Sequence, residues 1–157
     1  MKLYQNLRNE IRYINPKNKN FMIISRKEGD IFTTKDKHII FALNTDGLND
    51  SGFAGVVAKK RGFTEILNTG GNQLGEVLHK TIDGITYWGI VCHSLKLNGW
   101  SKSPEIIRKA LDEMPFEDDA SIVSIGSGLV GLFQGAPWKE IEQSFKDCNK
   151  RLTLWAR

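Results

Sequence analysis

Residues 120–131 read ASIVSIGSGLVG, an apolar run followed directly by a loop that contains three glycines. The letters from Gly126 to Gly131, GSGLVG, match the dinucleotide-binding pattern G-x-G-x-x-G, which is a weak signal on its own. Glycines let backbone N–H groups approach an oxygen-rich ligand such as a phosphate. The stretch therefore predicts a buried strand that ends in a phosphate-binding loop. The alternative interpretation is a tight strand-to-helix connection that binds nothing.

An NAD-dependent oxidoreductase is a distant alternative on this pattern. A dinucleotide fold needs an acidic residue about 20 positions after the glycines, at the end of the next strand. Here a predicted helix at residues 137–148 leads to a predicted strand, RLTLWA, at residues 151–156, and no carboxylate follows it. The chain has 157 residues, so 26 follow Gly131, too few for the second half of such a fold.

A second glycine-containing loop, NTDGLNDSGFAG at residues 44–55, has the same local context. It follows HIIFAL at residues 38–43, which predicts a fully buried strand, and it leads into a predicted helix, FAGVVAKKRG, at residues 53–62. Loops after parallel strands gather at the carboxyl ends of those strands, where ligands bind. We therefore expect the two loops to form the walls of one cleft.

The remaining patterns predict the rest of the fold. FMIIS at residues 21–25 predicts a strand, and GEVLHKTI and ITYWGIVCHSL flank Asp83 and Gly84, a dipeptide typical of a two-residue hairpin. SPEIIRKALDEM at residues 103–114 predicts a helix with Pro104 in its first turn. Strands that alternate with helices indicate a three-layer α/β/α sandwich with a mixed, largely parallel central sheet. We expect one domain over residues 1–157, with residues 1–20 as a peripheral N-terminal element.

Composition excludes several classes of protein. The chain is 40% hydrophobic and 25% charged, near globular averages, and no apolar run approaches the ~20 residues that span a bilayer. We expect a cytoplasmic protein without a membrane partner. Cys92 and Cys148 form neither a metal-binding spacing nor a disulfide framework, so no metal or cofactor is expected. The net charge of +4 is spread along the chain and accompanies no nucleic-acid motif, which disfavours a nucleic-acid partner.

The motifs in their order resemble a macro domain, the ADP-ribose-binding fold. They are GDIF at residues 29–32, the strand ending in ALN, the loop closing in SGFA at residues 51–54, and IGSGLVGL at residues 125–132. The resemblance spans residues 21–155, and the small size is similar to single-domain ADP-ribose-1″-phosphate phosphatases. It implies a protein that binds ADP-ribose or a related nucleotide and hydrolyses it, as a phosphatase or as a de-ADP-ribosylating enzyme acting on ADP-ribosylated protein. The alternative is a non-catalytic reader or sequestering protein for such nucleotides.

The resemblance also implies a role for each part of the site. Asp30 would accept a hydrogen bond from the adenine amino group, the first loop would surround the distal ribose, and the glycine loop would bind the diphosphate. Trp155 would border the adenine, or else pack in the core. The ligand-binding residues implied are Asp30, Ile31, Asn44, Ser51, Gly52, Phe53, Ala54, Ile125, Gly126, Ser127, Gly128, Leu129, Val130, Gly131 and Trp155.

The sequence departs from one branch of macro domain hydrolases, which uses a lysine in the first loop and an aspartate in the second. Ser51 and Val130 stand near those places, and neither side chain can form a Schiff base or act as an acid or base. The remaining catalytic candidates are Asn44, Asp50 and His93, by position and chemistry. The alternative interpretations are a turn aspartate at Asp50 and a strand-end histidine at His93.

Overall fold

A computed structural model describes residues 2–5, 10–14, 21–45, 49, 52–68, 72–93, 103–116, 119–123, 148, 150 and 152–156. Within these residues the chain forms one eight-stranded sheet with the order β1-β2-β3-β8-β7-β4-β6-β5. The neighbours from β3 to β6 pair in parallel, and the pairs at the two ends are antiparallel. The elements are β1 (Lys2–Gln5), β2 (Glu10–Ile14), β3 (Phe21–Glu28), β4 (His38–Asn44), α1 (Gly52–Lys60), β5 (Val77–Ile82), β6 (Ile85–His93), α2 (Ser103–Glu113), β7 (Ala120–Val123) and β8 (Leu152–Ala156), with short 3-10 helices at Ile31–Thr33 and Thr64–Leu67.

Strand β4 separates two cores, because successive side chains of a strand point to opposite faces. Ile39 and Phe41 pack with the buried residues of α1, including Val57. Ile40 packs on the other face with the buried residues of α2, including Ile107. Of the helices that the structure describes, α1 therefore covers one face of the sheet and α2 covers the other, and the predicted three-layer α/β/α sandwich with a mixed, largely parallel sheet is confirmed.

The predicted hairpin between β5 and β6 is also confirmed, and its turn has the expected geometry. Asp83 and Gly84 have φ values of 52° and 80°, so both central residues lie in the left-handed region. This backbone matches the right-handed twist of the two strands. The hairpin places β5 at one edge of the sheet.

Local patterns predicted most element positions to within a few residues. Strand β3 continues to Glu28, beyond the predicted end at residue 25, and pairs in parallel with β8. The N-terminal residues predicted as peripheral include β1 and β2, of which β2 pairs antiparallel with β3 and β1 pairs antiparallel with β2. Neither α1 nor α2 combines the length and hydropathy needed to cross a bilayer. Of the helix predicted at residues 137–148, all but Cys148 lies outside the described residues.

Replacing Gly89 by alanine should destabilise the sheet. A Cβ at this position would lie 2.6 Å from Cδ1 of the fully buried Leu43 and 3.1 Å from Cζ of Phe41. Overpacking of this kind typically costs about 1–3 kcal/mol of unfolding free energy. Urea denaturation of Gly89→Ala measures the loss. Because Leu43→Ala removes the clashing atom, the double variant should lose less than the sum of the single variants, and strict additivity would contradict the clash.

Candidate functional site

The predicted loops emerge from one edge of the sheet, at the carboxyl ends of its parallel strands. Glu28 at the end of β3 pairs with Ala156 at the end of β8. Asn44 at the end of β4 pairs with His93 at the end of β6, after a register shift between Leu43 and Asn44. Two of the three catalytic candidates, Asn44 and His93, are therefore neighbours on adjacent strands at this edge.

Asp30 lies in a turn that follows β3 at the same edge. Its Oδ1 accepts a hydrogen bond from the Phe32 N–H at 3.0 Å, which caps the Ile31–Thr33 helix, as short acidic side chains commonly do. The Asp30 carbonyl accepts hydrogen bonds from the Thr33 hydroxyl at 2.6 Å and the Thr33 N–H at 3.0 Å. Asp30 is exposed and Ile31 is buried, so the turn presents a fixed carboxylate to solvent beside a core residue.

Phe32, the next residue, connects this turn to helix α1. Its ring stacks on that of Phe53, with centroids 5.2 Å apart and an interplanar angle of 14°. The Arg61 guanidinium lies 4.2 Å from the Phe32 ring centroid, which is cation–π distance. Phe53 also meets the edge of Phe41 at 5.6 Å. The sequence interpretation assigned no role to Phe32 or Arg61, although Phe32 is the last residue of the GDIF motif.

Asn49 holds together the part of the first loop that the structure describes. Its Oδ1 accepts a hydrogen bond from the Asn44 N–H at 3.1 Å, and its Nδ2 donates to the Ile66 carbonyl at 3.1 Å. Asn49 is 3% exposed and Asn44 is 8% exposed. Asn44 is thus fixed at the end of β4 by a buried side chain that the sequence interpretation treated only as a loop former.

Trp155 is buried, with 5% of its surface exposed, and belongs to the core on the α1 side of the sheet. Its indole N–H donates to Ser121 Oγ at 2.9 Å. Its Cζ3 lies 3.8 Å from where a side chain on Gly29 would begin, so the ring lies beside the residue that precedes Asp30. Trp155 therefore combines core packing with a position next to the Asp30 turn.

Neither a scan against models of protein families nor a search of curated proteins gives a match to the sequence. Solved structures do match. The macrodomain of Mycobacterium tuberculosis DarG superposes with a TM-score of 0.59 at 11% identity, covering 85% of this chain and 97% of that one. A macrodomain protein from Streptomyces coelicolor gives 0.59 at 18% identity, covering 85% and 99%. A Trypanosoma brucei macrodomain in complex with ADP-ribose gives 0.51 at 14% identity, covering 85% and 62%.

This protein has the macrodomain fold. The fold expected from the motif resemblance is thereby confirmed, and the sequence-predicted candidates that the structure describes lie near the carboxyl ends of its parallel strands. Among these, Phe53 is half-buried and Ala54 is buried in the first turns of α1, and Gly52 begins that helix. Asp50, Ser51 and the glycine loop at residues 125–131 lie outside the described residues.

Thiol chemistry is disfavoured in this macrodomain. Cys92 is 3% exposed and Cys148 is 4% exposed. Burial raises the pKa of the Cys92 thiol to about 12 and also raises the pKa of Cys148. Since the thiolate is the nucleophile, both cysteines are inert at neutral pH. Cys92 is therefore a small buried hydrophobic residue, and the described part of the chain contains no cluster of residues suited to hold a metal ion.

A separate cavity of about 630 Å³ lies between α2 and the β5–β6 hairpin. Its lining includes Trp88 and His79, whose rings stack at 4.7 Å. None of the sequence-predicted site residues that the structure describes lines it. Asp30, Asn44 and His93 lie instead at the carboxyl edge of the sheet, so this cavity and the predicted site are made of different described residues.

The Asn49 contacts predict a pH-dependent effect of Asn49→Asp. At neutral pH the new carboxylate still accepts from the Asn44 N–H but faces the Ile66 carbonyl without a proton, which should cost about 1–3 kcal/mol of unfolding free energy. Once protonated it can donate to that carbonyl, so its pKa in the folded state is raised. The loss of unfolding free energy should therefore be complete at pH values above the folded-state pKa and should shrink as the pH falls through that pKa.

Urea denaturation of Asn49→Asp between pH 4 and pH 8, relative to the wild type at each pH, measures this effect. Asn49→Ala is the matched control, because it loses both hydrogen bonds at every pH. An equal and pH-independent deficit in the two variants would contradict the described hydrogen bonds.

Proposed function

We propose that this protein binds ADP-ribose, or a close derivative, at the carboxyl edge of its sheet. The observation that carries the proposal is the exposed Asp30 carboxylate in a macrodomain fold. Asp30 follows the end of β3, and its carboxylate accepts a hydrogen bond from the Phe32 N–H. One Asp30 oxygen is engaged in the turn, and the carboxylate retains further acceptor positions for a donor on a ligand. The adenine amino group is such a donor. The bound state of the Trypanosoma brucei macrodomain supports this ligand class.

The other parts of the proposed site are those that the motif resemblance implies. Asn44 and the loop residues Asp50, Ser51, Gly52, Phe53 and Ala54 surround the distal ribose. Backbone amides of the glycine loop at residues 125–131 bind the diphosphate, for which glycines allow close approach. Arg61, exposed beside Phe32, adds positive charge near the adenine end of the anionic ligand.

We further propose that the site hydrolyses its ligand, releasing the terminal phosphate of ADP-ribose-1″-phosphate or an ADP-ribosyl group from protein. In the phosphatase reaction a water oxygen bonds to phosphorus, the bond from phosphorus to the ribose oxygen breaks, and an acid returns a proton to that oxygen. His93 is the proposed acid and Asn44 or Asp50 orients the water. The pairing of Asn44 with His93 at one edge supports this assignment. Ser51 and Val130 rule out the covalent lysine route at those positions.

Calorimetric titration with ADP-ribose, with NAD and AMP in parallel, tests the binding proposal. Asp30→Ala should weaken ADP-ribose binding by about 1–3 kcal/mol through loss of a charge-assisted hydrogen bond. Asp119→Ala is a matched control, because Asp119 is an exposed aspartate next to the amino end of β7. Gly128→Glu should abolish binding by filling the diphosphate loop. Wild-type affinity in both Asp30→Ala and Gly128→Glu would contradict the site.

Phosphate release from ADP-ribose-1″-phosphate and loss of label from ADP-ribosylated protein test the hydrolysis proposal. His93→Ala should lower kcat by about 10²–10⁴-fold, the usual contribution of a general acid, while ADP-ribose affinity changes little. His79→Ala serves as the control histidine, since it lies in the separate cavity between α2 and β5. Tight binding by the wild type without turnover of either substrate would instead identify a reader.

A further inference from the structure

Ser121 is a fully buried hydroxyl with three hydrogen-bond partners from distant parts of the chain. It donates to Asp36 Oδ2 at 2.8 Å and accepts from the Trp155 indole N–H at 2.9 Å. Its Oγ also lies 2.8 Å from Thr34 Oγ1, which in turn accepts from the Asp36 N–H at 3.0 Å. A serine hydroxyl has one donor and two acceptor positions. The three contacts use all of them when Thr34 is the donor.

These contacts converge on the Asp30 turn from both sides. On its carboxyl side, Thr34 bonds to Ser121 and its N–H donates to the Ile31 carbonyl at 3.0 Å. On its amino side, Gly29 adopts a φ of +135°, and the ring of Trp155, which itself bonds to Ser121, lies 3.8 Å from where a Cβ on Gly29 would be. Thr34 after Asp30 thus bonds directly to the buried Ser121 hydroxyl, and Gly29 before Asp30 lies beside a ring that bonds to the same hydroxyl.

We propose that Ser121 and Trp155 are positioning residues that aim the Asp30 carboxylate at the ligand's purine edge. This inference rests on the proposed role of Asp30. It predicts that the Ser121 network sets the preference for a 6-amino purine over a 6-oxo purine, although the Ser121 hydroxyl itself is fully buried. A carboxylate accepts a hydrogen bond from an amino group but repels a carbonyl oxygen, so its aim determines the preference.

The first experiment compares affinities for ADP-ribose and for its hypoxanthine analogue, in which a carbonyl replaces the adenine amino group. The wild type should prefer ADP-ribose, and Ser121→Ala and Trp155→Phe should each reduce the ratio of the two affinities about tenfold, toward the value of Asp30→Ala. Trp155→Phe keeps an aromatic ring but removes both the indole donor and the second ring, whose Cζ3 lies beside Gly29. Adding Ser121→Ala to Asp30→Ala should reduce the ratio no further.

A stability control separates positioning from general weakening. Ile107→Val lies in the core on the opposite face of the sheet, so it should lower the melting temperature without changing the ratio of affinities. If Ser121→Ala and Trp155→Phe weaken both ligands equally and keep the wild-type ratio, the positioning role is overturned.

A second experiment needs no ligand. Amide hydrogen exchange at Phe32, whose N–H is held by Asp30, should accelerate in Ser121→Ala, while exchange at the buried amides of α2 stays at the wild-type rate. Unchanged protection at Phe32 would overturn the inference by itself. Failure of the wild type to bind ADP-ribose would instead overturn the proposed function, and the exchange result would still decide whether Ser121 positions the turn.

Discussion

Burial of β4 on both faces determines where each loop of the candidate site emerges. Its side chains fill one core through Ile39, Phe41 and Leu43 and the other through Ile40, so a shift by one residue would exchange the two sets. The strand is also paired in parallel with β6 and β7, which fixes its register from both sides. The end of β4 is therefore fixed relative to the neighbouring strands, and this fixes the position of Asn44.

The elements that could be predicted from the sequence are those that are specified by a few neighbouring residues. The apolar run of β4, the Asp83-Gly84 turn and the amphipathic pattern of α2 each contain their own determinant within a few residues. The two N-terminal strands are short and carry mixed polar and apolar residues, and the pairing of β2 with β3 is a tertiary property. This is why the sequence indicated only a peripheral element there.

The same distinction separates the predictable and unpredictable parts of the site. Asp30 could be proposed as a site residue because it lies in the contiguous GDIF motif. Ser121 could not, because it is one polar residue in an apolar strand and its partners Thr34 and Asp36 are 87 and 85 positions away. Arg61 stands in a basic run that is typical of a helix end, and only the tertiary structure places its guanidinium on Phe32. Long-range side-chain contacts leave no local pattern in the sequence.

The proposed site divides into two regions with separate supports. The Asp30 turn is held by Ser121 and Trp155 on one side and by the Phe32, Phe53 and Arg61 stack on another. The end of β4 is held by Asn49 and by pairing with His93. In the proposed function the first region recognises the base and the second carries the reactivity at the distal ribose. Whether such a site acts as an enzyme or as a reader then depends on the residues at the ends of β4 and β6.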